Sequence, residues 1–203
     1  MTVSLPQRYL FIGDSVTDCD RLVTPDGLGN GYVRFISDGL RSDARQITVL
    51  NRGISGNRVG DLRARWKEDC LDLQPSLVSI LVGINDTWRR YDSGDPVELR
   101  DFERDYRSLL EPLDRVDLFL VEPFLLPISD DQREWREDLD PKIETVRDLA
   151  AEFGATLVRA DLCLNAYAEN LGVDALAPDG VHPTPRGHEL LAAEWQEARL
   201  SVR

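Results

Sequence analysis

Positive charge is scarce in this chain: 24 Lys and Arg stand against 37 Asp and Glu, a formal net charge of −13 over 203 residues. The average field repels phosphate backbones and anionic membranes, which speaks against nucleic-acid and membrane partners. A neutral small-molecule substrate fits this charge better than a polyanion. No apolar run approaches the ~20 residues that a membrane span needs. Residues 1–6 hold no basic stretch followed by an apolar one, so no secretory leader is read there. Cysteine is sparse as well: Cys19, Cys70 and Cys163 are odd in number and widely separated, matching neither a disulfide framework nor a metal-ligand spacing. They read as reduced thiols of a cytoplasmic protein. The two histidines, His182 and His188, lie six positions apart with no ligand set around them, so neither a metal nor a cofactor is expected.

What the chain does contain is a regular alternation of β-rich runs and helical patterns. At 203 residues, with 42% apolar and 30% charged positions, it reads as one globular domain over 1–203. Such a chain buries about 70% of the surface it exposes unfolded. Strand-like runs fall near residues 8–12, 46–50, 76–82, 116–121 and 155–159. The run at 76–82 is continuously apolar, as expected of a strand covered on both faces. Between the runs, apolar residues recur at helical spacing, for example Tyr32, Phe35, Ile36 and Leu40, then Val59, Leu62, Trp66 and Cys70. Asp95-Pro96-Val97-Glu98 predicts a capped helix start, with Leu99, Phe102, Tyr106, Leu109 and Leu113 as the buried face. Ser129-Asp130-Asp131-Gln132 predicts another start. Asp140-Pro141 either kinks that helix or opens a new one that Gly154 closes, and Thr184-Pro185 caps the last helix. The sum is an α/β protein, a flavodoxin-like three-layer sandwich around a five-stranded parallel sheet.

In a parallel sheet the loops after the strands gather at one edge, where open α/β folds place their chemistry. Three such loops stand out: Gly13-Asp14-Ser15, Gly53-Ile54-Ser55-Gly56 and Gly83-Ile84-Asn85-Asp86. The loop Asp179-Gly180-Val181-His182 joins them from near the end of the chain. Alone, each has an ordinary explanation as a turn or a helix cap. Together they suggest acyl transfer. Ser15 would attack a carbonyl, His182 would take and return the proton, and Asp179 would fix the imidazole tautomer. The backbone N–H groups of Ser15 and Gly56 and the Asn85 amide would form the oxyanion hole. Asp14 and Trp88 are candidates for the substrate-binding wall. Asp86 reads as a support for the asparagine loop, Cys19 and Trp66 as packing, and His188 as structural.

At these four blocks the chain resembles the SGNH hydrolase superfamily, the GDSL esterases, with Val16 where leucine or isoleucine is more usual. The resemblance places the oxyanion glycine at Gly56 rather than Gly53. The segments from Gly56 to Trp66 and from Asn85 to Asp92 are similar to those of intracellular bacterial acetylxylan esterases. That narrower resemblance implies deacetylation of xylo-oligosaccharides, with an acetylated oligosaccharide or other small ester as partner, and a homo-oligomer of unstated stoichiometry. Between about residues 94 and 175 only the rhythm of strands and helices matches. A lysophospholipase or acyl-thioesterase with the same three residues is the alternative enzyme. A phosphate- or nucleotide-binding module is the non-enzymatic one. It is disfavoured because residues 15–20 offer no glycine and place Asp18 and Asp20 where an anion would sit. A phosphatase built on Asp18 and Asp20 is weakened because neither directly follows the apolar run.

Overall fold

The computed structural model describes residues 7–41, 43 and 46–201; residues 1–6, read above for a leader, lie outside it. Strand β1 (Gln7–Gly13) sends Tyr9 and Phe11 to one face and Leu10 and Ile12 to the other, and all four are buried. This period of two, apolar on both sides, is what a central strand of a three-layer fold requires. Around it stand β2 (Ile47–Gly53), β3 (Leu77–Leu81), β4 (Asp117–Val121) and β5 (Thr156–Val158). All pairings are parallel and the order is β2-β1-β3-β4-β5, the five-stranded flavodoxin-like sheet expected.

Helices α2 (Tyr32–Leu40), α8 (Ala160–Leu171) and α10 (Pro185–Ser201) cover one face, with Tyr32, Leu164, Leu191 and Trp195 packed on Phe11 and Phe119. The fully buried Trp195 donates its indole N–H to Ser79 Oγ at 3.0 Å, so the sheet's one central hydroxyl is satisfied. Helices α3 (Val59–Asp69), α5 (Leu99–Leu110) and α7 (Arg136–Glu152) cover the other face through Leu62, Trp66, Phe102, Tyr106 and Val146. The short helices α1 (Ser15–Asp18), α4 (Ile84–Asp92), α6 (Asp130–Glu134) and α9 (Val173–Leu176) complete the set. No described helix is long and apolar enough to cross a membrane.

Three helical expectations are revised. α5 begins at Leu99 with Glu98 as its cap residue and no side-chain capping bond, so Asp95-Pro96 precedes the helix instead of opening it; Leu99 itself is exposed. Pro141 lies inside a continuous α7, and the break falls earlier, at Trp135 between α6 and α7. Asn85 and Asp86 are in the first turn of α4, where a loop was expected. Ser129 and Thr184 do cap as expected, accepting the N–H of Gln132 at 3.2 Å and of Gly187 at 3.2 Å.

Register positions the site. Gly13 pairs with Gly53 on one side and Leu81 on the other, so the three central strands end at one level. The chain therefore releases Ser15, Gly56 and Asn85 along one edge.

Candidate active site

Ser15 is the first residue of α1, and Asp14 caps that helix by accepting the Val16 N–H at 3.0 Å. At this position a helix supplies no acceptor for its own N–H, which leaves the Ser15 amide to face a ligand. The Asp14 side chain is 1% exposed and directed into the protein. It does not line the cleft, which corrects the substrate-binding role expected of it.

The histidine loop reaches Ser15 because several elements hold it. Gln132 Nε2 donates to the Asp179 carbonyl at 2.8 Å, and the Leu126 N–H to the Gly180 carbonyl at 2.9 Å. Val181 is buried in a small apolar cluster with Ile84, Leu125 and Ile143, against which Trp88 packs. His182 Nε2 then lies 2.9 Å from Ser15 Oγ, and Nδ1 lies 2.6 Å from Asp179 Oδ2. The other Asp179 oxygen accepts the N–H groups of Val181 at 2.9 Å and His182 at 2.7 Å. Partial burial alone would raise the Asp179 carboxyl; the His182 ring and these two amides outweigh it and hold its pKa below the ordinary value. An ionised Asp179 keeps the proton on Nδ1 and leaves Nε2 as acceptor for the serine hydroxyl.

Opposite this line stands the amide-lined side. Gly56 has φ +82°, and a Cβ there would meet nothing within 4 Å. The left-handed backbone, rather than crowding, is what calls for glycine. At Gly53 the reason is reversed: a Cβ would lie 2.2 Å from the Asp18 nitrogen, because the end of β2 presses on α1. That approach lets Asp18 Oδ2 accept both the Ser55 N–H at 3.1 Å and the Ser55 hydroxyl at 2.9 Å. Asn85, 3% exposed, donates to the Asn57 carbonyl at 3.1 Å, and its amide carries a second hydrogen. Asp86 accepts the Val59 N–H at 3.3 and 3.2 Å, tying α4 to the start of α3; the supporting role expected of it stands.

These groups open on a cleft of about 390 Å³ lined by Ser15, Ser55, Gly56, Asn85, Trp88 and His182. Trp88 lies 6.0 Å from the His182 ring and 5.5 Å from Trp135, with the Arg89 guanidinium 5.7 Å from its centre. Cys19 and His188, read as packing and structure, also border the cleft. His188 Nδ1 accepts the Tyr32 N–H at 3.2 Å and Nε2 faces Cys19 Sγ at 3.5 Å; burial pushes the imidazole down to about 4. It is a neutral wall residue. A cavity of about 280 Å³ at the opposite sheet edge, among Tyr9, Leu77, Phe153 and Arg199, has no comparable line of groups. Among the described residues no three His, Cys, Asp or Glu converge as a metal site. Sequence reasoning missed Asp18 and Asn57 as supports and had no signal for them, since Asp18 meets Ser55 only once β1 and β2 are paired, and Asn57 meets Arg65 and Asn85 only once α3 and α4 are packed beside it.

A hydroxyl, an imidazole and a carboxylate in hydrogen-bonded series, at the carboxyl edge of a parallel sheet, define a serine hydrolase of the α/β class. The chain belongs to the GDSL-like lipase/acylhydrolase family, whose model matches residues 11–190. It is a carboxylic ester hydrolase. Over 98% of its length it is 38% identical to an acetylxylan esterase from Geobacillus stearothermophilus, covering all of that protein. A crystal structure of that organism's acetylxylan esterase superposes with a TM-score of 0.87 at 37% identity, over 98% of this chain and 96% of the other. A Parabacteroides merdae protein described as a GDSL-like lipase superposes at 0.89 with 36% identity, over 95% of each chain.

Proposed function

We propose that this protein is a serine esterase that removes O-acetyl groups from carbohydrate, with short acetylated xylo-oligosaccharides as its substrates. The observation that supports the chemistry is the unbroken line from Ser15 through His182 to Asp179, facing Gly56 and Asn85 across the cleft. Ser15 Oγ attacks the acetyl carbonyl as His182 takes its proton, and the carbonyl oxygen gains charge beside the Ser15 and Gly56 amides and Asn85 Nδ2. Collapse of the intermediate breaks the bond to the sugar oxygen, which receives the proton from His182. Water, deprotonated by the same imidazole, then releases acetate and restores Ser15. Trp88 beside His182 offers the sugar ring a stacking wall on the leaving-group side. Support for the acetyl and xylose specificity comes from the full-length similarity to an acetylxylan esterase.

The same reading takes residues 1–203 as one domain without a metal or cofactor. Three free thiols suit a reducing cytoplasm. Self-association is part of it too, to be checked by sedimentation velocity. The test of substrate class is a series of p-nitrophenyl esters of rising chain length, run beside acetylated xylose. Acetate should give the highest kcat/KM and acetylated xylose should be turned over. If octanoate outpaces acetate, the lysophospholipase or thioesterase alternative replaces this one.

A further inference from the structure

Helix α3 is tied to three of the loops that this mechanism uses, those of Ser15, Gly56 and Asn85. Its first turn is held by Asp86, one residue from Asn85. Two turns on, Arg65 is mostly buried, and its guanidinium engages four acceptors. Nε donates to Asn57 Oδ1 at 2.8 Å, Nη1 to the Arg52 carbonyl at 2.8 Å and to Asp69 at 2.9 Å, and Nη2 to the Gly13 carbonyl at 3.2 Å. Gly13 is two residues before Ser15, Arg52 is the last but one residue of β2, and Asn57 follows Gly56. The Gly13 carbonyl also accepts the Ile54 N–H at 3.0 Å, and the Asn57 carbonyl accepts from Asn85. One planar group thus joins the strand that delivers the nucleophile to the loop that delivers the oxyanion glycine.

We infer that Arg65 is a positioning residue of the oxyanion site, fixing the separation of the Ser15 and Gly56 amides through Gly13, Arg52 and Asn57. The inference rests on the roles proposed above for Ser15 and Gly56. Gly56 has no side chain to anchor it, so its place is set by its neighbours. Ser55 is held by Asp18, and Asn57 by Arg65 and Asn85. Lysine cannot replace the fork, because an ammonium is a point donor on a flexible stem and cannot hold three diverging acceptors in a plane. Oxyanion donors act on the transition state more than on the bound ester, so their displacement lowers kcat and leaves KM in place. A misplacement of about 1 Å is enough for about a 10²-fold loss.

The test compares wild type with Arg65→Lys, Arg65→Ala and Asn57→Ala on p-nitrophenyl acetate, with active sites counted by stoichiometric reaction with an organophosphonate. Counting sites divides out any misfolded fraction. Both Arg65 variants should lose about 10- to 100-fold in kcat per titrated site, with KM within about twofold. Affinity for an alkylboronic acid, which adds to the serine as a tetrahedral anion, should weaken by the same factor as kcat/KM. Asn57→Ala should move in the same direction by less. Added guanidinium ion should restore part of the kcat of Arg65→Ala and do nothing for wild type. Wild-type kcat per site in Arg65→Lys, or a loss carried by KM alone, overturns the inference. Should the Arg65 variants fail to fold, Asn57→Ala decides, and unchanged kcat and boronate affinity there overturn it. Failure of the underlying reading looks different: Ser15→Ala would still turn over ester or react with the phosphonate.

Discussion

Asp179 and Asp14 both serve the reactive serine, one through the imidazole and the other from the adjacent chain position, yet their surroundings are opposite. Asp179 is about half exposed and accepts three hydrogen bonds, which hold it ionised. Asp14 is buried, receives one N–H on one oxygen and has no partner among the described residues on the other; burial pushes it up to about 7. The contrast extends to whole regions. The catalytic line lies at the mouth of the cleft, where its side chains bond to each other and Asp179 also to two amides of its own loop. The layer beneath, with Asn51, Asn85 and Asp86, is buried and binds backbone: Asn51 alone holds the Thr17 carbonyl at 2.6 Å, the Leu28 carbonyl at 2.9 Å and the Gly53 N–H at 2.8 Å. Charge is thus kept on Asp179, where a proton must move, while Asn51 and Asn85 hold loops through neutral hydrogen bonds; the cationic Arg65 is an exception among the groups that hold loops.

If that division is right, substitutions in the line should change rate without changing stability. Ser15→Ala should lower kcat/KM by about 10⁶-fold. Because a partly exposed hydroxyl is removed, unfolding free energy should shift within about 0.5 kcal/mol. Loss of both together, read by kinetics and urea unfolding, would break the contrast. Asp179→Asn should lower kcat by about 10⁴-fold, since an amide no longer dictates which ring nitrogen carries the proton. Asn85→Ala belongs to both regions. It should lower kcat by about 10²–10³-fold as an oxyanion donor, and cost about 1 kcal/mol of stability by freeing the Asn57 carbonyl. A kcat effect under threefold would move Asn85 wholly into the supporting layer.

The catalytic line was legible in the sequence because strand-end loops of a parallel sheet must converge, whatever the helices between them do. Gly13-Asp14-Ser15 needed only that rule; Asp179-Gly180-Val181-His182 follows α9 and not a strand, and its place beside Ser15 was implied by the family resemblance. Asn85 was placed correctly on the edge but in the wrong local structure, since α4 begins immediately after Gly83 with no side-chain cap to announce it. Leu99 looked like a core position because helical spacing is blind to which turn comes first. Asp14 looked available to substrate because proximity in the chain says nothing about direction; one hydrogen bond to Val16 turns it inward. Arg65 and Asp18 were invisible for a stronger reason. Two of the four acceptors of Arg65, the Arg52 and Gly13 carbonyls, and one of the two Ser55 groups that donate to Asp18 are backbone atoms of other elements, and backbone atoms leave no mark in an amino-acid sequence.

The finest test of the contrast is the pH dependence of stability in Asp14→Asn. Asparagine caps a helix about as well as aspartate, so the Val16 bond is kept while the ionisable group is lost. In wild type the folded protein holds the Asp14 proton up to about 7, whereas the unfolded chain releases it near the ordinary carboxyl value of 3.8. The stability that Asp14 contributes is therefore full below about 4 and is lost as pH rises to 7, at up to about 1.4 kcal/mol per unit of pH. Asp86, also pushed up to about 7 by burial, acts with the same sign, while His188, pushed down to about 4, destabilises the fold as pH falls toward 4. The wild-type profile mixes all three, so the quantity to measure is the difference in melting temperature between Asp14→Asn and wild type. It should grow in favour of the variant from pH 4 to pH 7 and level off above. A difference that stays flat across that window would mean Asp14 is ionised in the fold like Asp179, and the buried layer would then not be the neutral one described.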